Sequence, residues 1–442
     1  MRQLIQSLKN INYRLYVALL LLGLCPAIYT SVRVFLIGQL PGEYSFSIAG
    51  QLSWINLIYE ILNESIILPL YYFICKVKED KQSLTNRVRT GLMITLCLYL
   101  LISAVINIFA EHLLCLMATN KEIIDASAQY IRIESVANIF SVLSQFSLVV
   151  LVSMNRSKYI YAFTLGRLVI CILTDMCLVS SLPISLKLGI NGVGYSNIVV
   201  NILLLAISTL LLAKEKISLF SRDRLDFGWT KELIKVGGIS GLESLVRNAA
   251  YMIMVARMVN VVGEQGTYWV ANNFIWSWLL LPVLQLGELI KRETAENKDN
   301  FKKNAPGYFA LTMIISLLWI ASMPLWKPFM SYVLGLQNSD KIFELVRILI
   351  GFYMFYAIQN VFDSTFYGLG KTKYMLFEAV ITNSLYYGAA FVLYMIGVWH
   401  PSLMGIALLF GIGNIFDGVV SFFAYLFLLN KEKHGYHAPK TS

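Results

Sequence analysis

YIRIESVANIFSVLSQFSLVVLVSMNRSKY, residues 130–159, aligns without a gap on LVRILIGFYMFYAIQNVFDSTFYGLGKTKY, residues 345–374, at a constant spacing of 215. Arg132 falls on Arg347, Ile133 on Ile348, Phe140 on Phe355 and Gln145 on Asn360. Arg156-Ser157-Lys158-Tyr159 falls on Lys371-Thr372-Lys373-Tyr374. A second match, Gly192 on Gly405 and Asn201 on Asn414, keeps a spacing of 213. The chain reads as one unit written twice. Both copies are strongly apolar, so the pattern predicts duplicated membrane bundles, the usual build of secondary transporters.

Composition identifies the solvent. Hydrophobic residues make up 57% of the 442 and charged residues 14%, with a mean hydropathy of +0.65. A soluble domain carries about 25% charged residues, so this chain lacks the polar surface to cover a globule. Twelve apolar segments are predicted as spanning helices: 13–38, 44–75, 88–112, 124–152, 159–184, 189–213, 232–260, 266–290, 305–326, 342–368, 374–398 and 402–430. A lipid-exposed strand could not satisfy its backbone, and the alternating ten-residue segments of a barrel are absent. The first apolar run is too long for a cleaved signal, contains Arg33 and lacks a small-x-small site, so it is read as a span.

The net charge of +10 is laid out for a membrane, not for nucleic acid. Of the 36 Lys and Arg, 26 fall on one side of the twelve-span topology and four (Lys121, Lys187, Lys327 and Lys341) on the other. This positive-inside bias predicts a multi-pass protein of the cell (plasma or inner) membrane with both termini cytoplasmic. Six cysteines lie in or beside spans without a C-x-x-C pair, and the four histidines sit near loops or in the tail. They suggest no disulfide, metal site or catalytic triad, so an enzyme is not expected. The charged stretch 214–235 is the expected linker between a first lobe, 1–213, and a second, 236–430, with a tail at 431–442. Six spans per lobe return the chain to the same face. The expected fold is therefore all-α, two parallel six-helix repeats around a central cleft.

Charge inside a span costs about 2.5–3.5 kcal/mol, so intramembrane polar stripes need a purpose. Span two carries Ser53, Asn56, Glu60, Asn63 and Glu64 at helical spacing. Span seven carries Ser240, Glu243, Ser244, Arg247, Asn248 and Tyr251, and span ten Tyr356, Gln359, Asn360 and Asp363. Residues three or four apart share one helix face. Such a face is either interhelical glue or the wall of a wet cavity. On the second reading Glu60, Glu64, Glu243 and Asp363 are candidates for cation coupling. Arg33, Asn56, Asn63, Arg247, Tyr356 and Gln359 are candidates for the substrate cavity. Trp269, Asn272, Asn273 and Trp276 make a face of span eight that could stack a flat molecule. Arg33 is expected to supply the counter-ion of the Glu60/Glu64 stripe. Arg132, Arg257, Arg347 and Glu378 lie near span ends, where long side chains snorkel to water.

Tyr130-Ile131-Arg132, Leu188-Gly189-Ile190-Asn191-Gly192-Val193-Gly194, and Gln359 followed by Gly368-Leu369-Gly370-Lys371-Thr372 carry a family likeness. In their order along twelve spans the chain resembles the multidrug and toxic compound extrusion (MATE) transporters. These belong to the multidrug/oligosaccharidyl-lipid/polysaccharide flippase (MOP) superfamily. The resemblance implies export of small organic compounds from the cytoplasm through the cleft, coupled to protons or sodium ions, with a monomer sufficing. No other cofactor is implied. Two family aspartates are missing: counting back five from Gly38 gives Arg33, and counting back three from Gln359 gives Tyr356. A flippase for lipid-linked sugars or another anionic amphipath is the alternative from the same superfamily.

Overall fold

The computed structural model of the protein describes residues 2–77, 79–154, 158–217, 219 and 224–435. Arg156 and Ser157 of the repeat, Arg222 and Asp223 of the linker, and tail residues 436–442 lie outside the described residues. Among those described there is no strand. The first half comprises α1 (Arg2–Asn10), α2 (Tyr13–Gly38), α3 (Ser45–Cys75), α4 (Lys81–Leu116), α5 (Ile124–Ser153), α6 (Lys158–Leu178) and α7 (Ile190–Lys214). The second comprises α8 (Thr230–Tyr251), α9 (Arg257–Val261), α10 (Gln265–Phe274), α11 (Leu281–Glu296) and α12 (Asn300–Lys303). It continues with α13 (Ala305–Pro328), α14 (Ser339–Gly368), α15 (Lys373–Ile381), α16 (Gly388–Met395) and α17 (Leu403–Gly435).

Among the described residues ten helices are long and apolar enough to cross a membrane, or eleven with the α10–α11 pair, which bends by 52°. The predicted seventh span falls on α8 and α9 and carries Glu243, Arg247 and Arg257, and it is not among the ten. Four π-helical turns interrupt the second half: Met252–Ala256, Ile275–Leu279, Phe329–Val333 and Thr382–Tyr387. A wider turn advances the side chains out of step with the 3.6-residue period, and such turns are frequent at functional sites.

Two pairs of helices begin at the spacings read in the sequence. Helices α5 and α14 are both 30 residues long and begin 215 apart, at Ile124 and Ser339. Helices α7 and α17 begin 213 apart, at Ile190 and Leu403, and α7 packs on α5 as α17 packs on α14.

The buried apolar residues form two large clusters that cross the midpoint of the chain. Leu19 and Val34 of α2 join the core of the second half, whereas Trp229 and Leu233, at the start of α8, join that of the first. The α3–α8 contact is made by small residues. A Cβ on Gly237 would lie 1.9 Å from the Ser65 carbonyl oxygen, and one on Gly241 would lie 1.9 Å from Ser65 Oγ. Glycines four apart let two helix backbones approach closely in lipid, where packing drives association.

Candidate functional site

Three polar clusters are buried among the helices. The first follows from the α3–α8 contact, which brings the stripe of predicted span two against that of span seven. Arg247 Nη2 donates to Glu64 at 2.7 Å and reaches Glu60 at 3.5 Å, and Nη1 lies 3.4 Å from Glu243, one turn back on its own helix. The Tyr367 side chain, from α14, lies near the same guanidinium. The group is partly wet, with Arg247 35% exposed and Glu60 45%, while Glu243 is buried. Asn63 Oδ1 and Glu64 Oε2 have no hydrogen-bond partner. The three acidic candidates on these two helices thus converge on the one guanidinium of Arg247, and Asn56 is exposed on α3.

Arg33 is elsewhere, contrary to the sequence expectation. Its Nε donates to Asp175 Oδ2 at 2.7 Å and its Nη2 to Oδ1 at 3.3 Å. Asp175 is 1% exposed. Helix α2 packs on α6, so the acid that Arg33 meets lies on α6 and not on α3. A carboxylate this buried requires a fixed cation, and Arg33 supplies it. Beside the pair, Glu134 accepts from Asn197 Nδ2 at 2.7 Å and hydrogen-bonds Tyr130.

The third cluster lies in the second half. Gln359 Nε2 is 2.8 Å from Glu378 Oε1, 2.7 Å from Asp417 Oδ2 and 3.4 Å from Asp363 Oδ2. Thr382 donates to Asp417 at 2.6 Å, and Ser421 to Asp363 at 3.1 Å. The Glu378 and Asp417 carboxyls are also within hydrogen-bonding reach of each other. Gln359 and Glu378 are both 4% exposed, and Gln359 Oε1 and Glu378 Oε2 are left without partners. Three acids therefore surround one amide that has only two hydrogens to give. No lysine or arginine among the described residues pairs with them. Arg247 acts on Asp363 and Asp417 only through its field, and its own hydrogen bonds go to the first cluster. Among the described residues no group of three or more His, Cys, Asp and Glu is disposed to hold a metal ion.

Of this cluster, the stripe on span ten supplied Gln359 and Asp363. Glu378 was expected to snorkel from a span end, but the chain enters α15 at Lys373 and turns the Glu378 side chain inward. Asp175 had one sequence signal, a carboxyl inside an apolar span, whereas Asp417 also had Asn414 three residues before it and Ser421 four after it, a stripe that sequence reading passed over.

The aromatic face of predicted span eight is split by the π turn at Ile275–Leu279. Trp269 packs at 6.0 Å on Phe46 of α3, and Asn273 Nδ2 is spent on the Trp269 carbonyl. Asn272 is half-buried with no side-chain hydrogen bond. Trp276 instead donates to Tyr353 Oη at 3.2 Å and lies 5.9 Å from the Tyr356 ring. Tyr356 is subject to the fields of Asp363, Asp417, Arg247 and Glu60, so the aromatic group sits between the first and third clusters. Tyr353, buried at its centre, was not anticipated.

Long apolar helices around an interior of paired and unpaired charges define a polytopic membrane protein. Residues 78–177 match the MatE family model. A multidrug-resistance MATE family transporter of the MOP superfamily, in an inward-facing conformation, superposes with a TM-score of 0.73 at 17% identity, covering 98% of each chain. A MOP superfamily transporter from Pyrococcus furiosus, reported with a binding pocket of reversed polarity, gives 0.71 at 16%, covering 97% of this chain and 98% of that one. A Vibrio cholerae MATE transporter gives 0.71 at 14%, covering 98% and 99%. None of the curated proteins matches. One segment is thus similar in sequence to the MatE family, and nearly the whole chain is similar in fold to MATE transporters of the MOP superfamily.

Proposed function

We propose that this protein is a secondary active transporter that exports organic, drug- or metabolite-like compounds by alternating access. Its two parallel lobes of six spans, 1–213 and 236–430, move against each other, and both termini face the cytoplasm. The coupling cation is taken up by the carboxyl cluster of Asp363, Glu378 and Asp417. One observation carries this reading: up to three negative charges gather on Gln359 with no ion-pair partner among the described residues. A site that must load and release a cation keeps its charge unbalanced by fixed residues, and intramembrane acids of this kind mark ion pathways.

The contrast with the other clusters supports the assignment. At Asp175 the balancing cation is tethered, since Arg33 occupies the carboxylate permanently. At Glu60, Glu64 and Glu243 it is Arg247, which belongs to the other half of the sequence from Glu60 and Glu64. That contact joins the halves and serves as a latch between them. In the second-half cluster Glu378 and Asp417 share one Gln359 amide nitrogen, and two such neighbouring carboxyls are best accommodated when one carries a proton, which favours proton over sodium coupling. The membrane voltage adds about 2.3 kcal/mol per charge per 100 mV, enough for uphill export. The aromatic group of Trp276, Tyr353 and Tyr356 presents flat apolar faces for an organic substrate.

The test is purified protein in liposomes, with cationic and anionic dyes under an imposed proton or sodium gradient. Accumulation driven by the proton gradient, and lost in Asp363→Asn and Asp417→Asn, is expected. Accumulation that ignores both gradients refutes the coupling. The flippase alternative draws on a groove with a lysine rim between α3, α8, α15 and α17; movement of a headgroup-labelled lipid with no movement of dyes would favour it.

A further inference from the structure

A groove of about 1330 Å³ opens between the ends of α3, α8, α15 and α17. It is larger than the roughly 300–1000 Å³ that suits a drug-sized ligand. Its walls are apolar and face outward: Tyr72, Ile239, Phe377, Phe423 and Phe427 are all exposed large hydrophobics. Its rim is basic. Lys235, Lys371, Lys373 and Lys431 line it against a single acid, Glu232. Lys235, Lys373 and Lys431 are exposed. By the distribution of positive charge, these lysines lie at the cytoplasmic ends of their helices.

Charge and shape together select an occupant. A cavity with aromatic walls, open sideways to lipid and closed by an excess of three positive charges at the headgroup level, complements an anionic head on an acyl chain. We propose that the groove binds one anionic phospholipid of the cytoplasmic leaflet, with its phosphate among Lys235, Lys373 and Lys431 and a chain along Phe377, Phe423 and Phe427. Tyr72 and Phe73 come from the first half of the sequence and the remaining lining from the second. The bound lipid therefore touches both halves beside the α3–α8 contact. The site does not depend on which compound is transported.

Native mass spectrometry of the purified full chain, titrated with phosphatidylglycerol or phosphatidylcholine, tests the proposal. One copy of phosphatidylglycerol is expected to bind in preference to phosphatidylcholine. A basic side chain near a membrane surface is worth about fivefold in anionic-lipid affinity. Lys235→Gln, Lys373→Gln and Lys431→Gln together should weaken phosphatidylglycerol on the order of 100-fold. The matched triple Lys298→Gln, Lys302→Gln and Lys303→Gln, equal in charge but in another cytoplasmic loop, should leave it unchanged. Ile239→Trp, which fills the groove without touching the lysines, should abolish the specific copy and is read if the lysine triple fails to fold. Equal binding of both lipids, equal loss in the two triples, or displacement by millimolar inorganic phosphate would each overturn the site.

Discussion

Replacing Arg247 by glutamine tests the latch between the halves. The three carboxylates around it differ in depth, so their contributions separate. Glu60, at 3.5 Å and 45% exposed, is an ordinary wet pair worth about 0–1 kcal/mol. Glu64, at 2.7 Å and 18% exposed, and Glu243, at 3.4 Å and 8% exposed, lose a partner in a drier place. Breaking a fully buried pair costs about 3–5 kcal/mol. With Arg247 itself one-third exposed, the expected loss is discounted to about 2–3 kcal/mol. The assay is a double-mutant cycle by reversible unfolding in detergent micelles. Arg247→Gln combined with Glu64→Gln should cost at least about 1 kcal/mol less than the sum of the singles, because the second change removes the orphaned charge. Glu60→Gln should cost under about 0.5 kcal/mol. Strict additivity of Arg247 and Glu64, or a Glu60 effect as large as that of Glu64, would refute the reasoning.

The neighbouring glycines should separate by position. Gly241→Ala drives a methyl into Ser65 and should cost about 1–3 kcal/mol, whereas Gly238, with nothing within 4 Å, should accept alanine with a gain of about 0.5–1 kcal/mol. The measurement is the unfolding midpoint, and equal shifts for the two would contradict the close α3–α8 contact. Arg33→Ala should destabilise by about 3–5 kcal/mol by stranding buried Asp175, and Arg33→Ala with Asp175→Asn should recover a large part. A fully additive pair would show that the two groups do not depend on each other. At the start of α4, Asp80 caps the helix, and hydrogen bonds from Ser83, then from Gln82, hold its carboxyl below the ordinary range. A depressed carboxylate stabilises fully above its unfolded value, about pH 4, and loses that contribution as pH falls through its lower folded value. Amide exchange at Gln82 and Ser83 should therefore quicken only below about pH 4, and Asp80→Ala should remove the pH step.

The all-helical, membrane-type fold was legible because apolar runs are a property of the chain alone. Helices α5/α14 and α7/α17 start at the spacings of 215 and 213. Helical spacing likewise gathered Glu60 with Glu64 and Glu243 with Arg247. What it could not supply was which stripe meets which. Arg33 went to Asp175 because α2 packs on α6, a fact of helix arrangement with no trace in local sequence. Trp269 packs on Phe46 of α3 while Trp276 meets Tyr353 and Tyr356 of α14, a choice of neighbours made by helix arrangement. Glu378 was misplaced because counting to a span end says nothing of the direction in which a side chain points.

The central claim is that the acids around Gln359 carry the coupling cation, and it separates uphill transport from exchange. The Asp363→Asn, Glu378→Gln and Asp417→Asn triple variant, reconstituted in liposomes, should still exchange labelled for unlabelled substrate at equal concentration, yet fail to accumulate it under a proton gradient. Accumulation at the wild-type level in that variant would contradict the account.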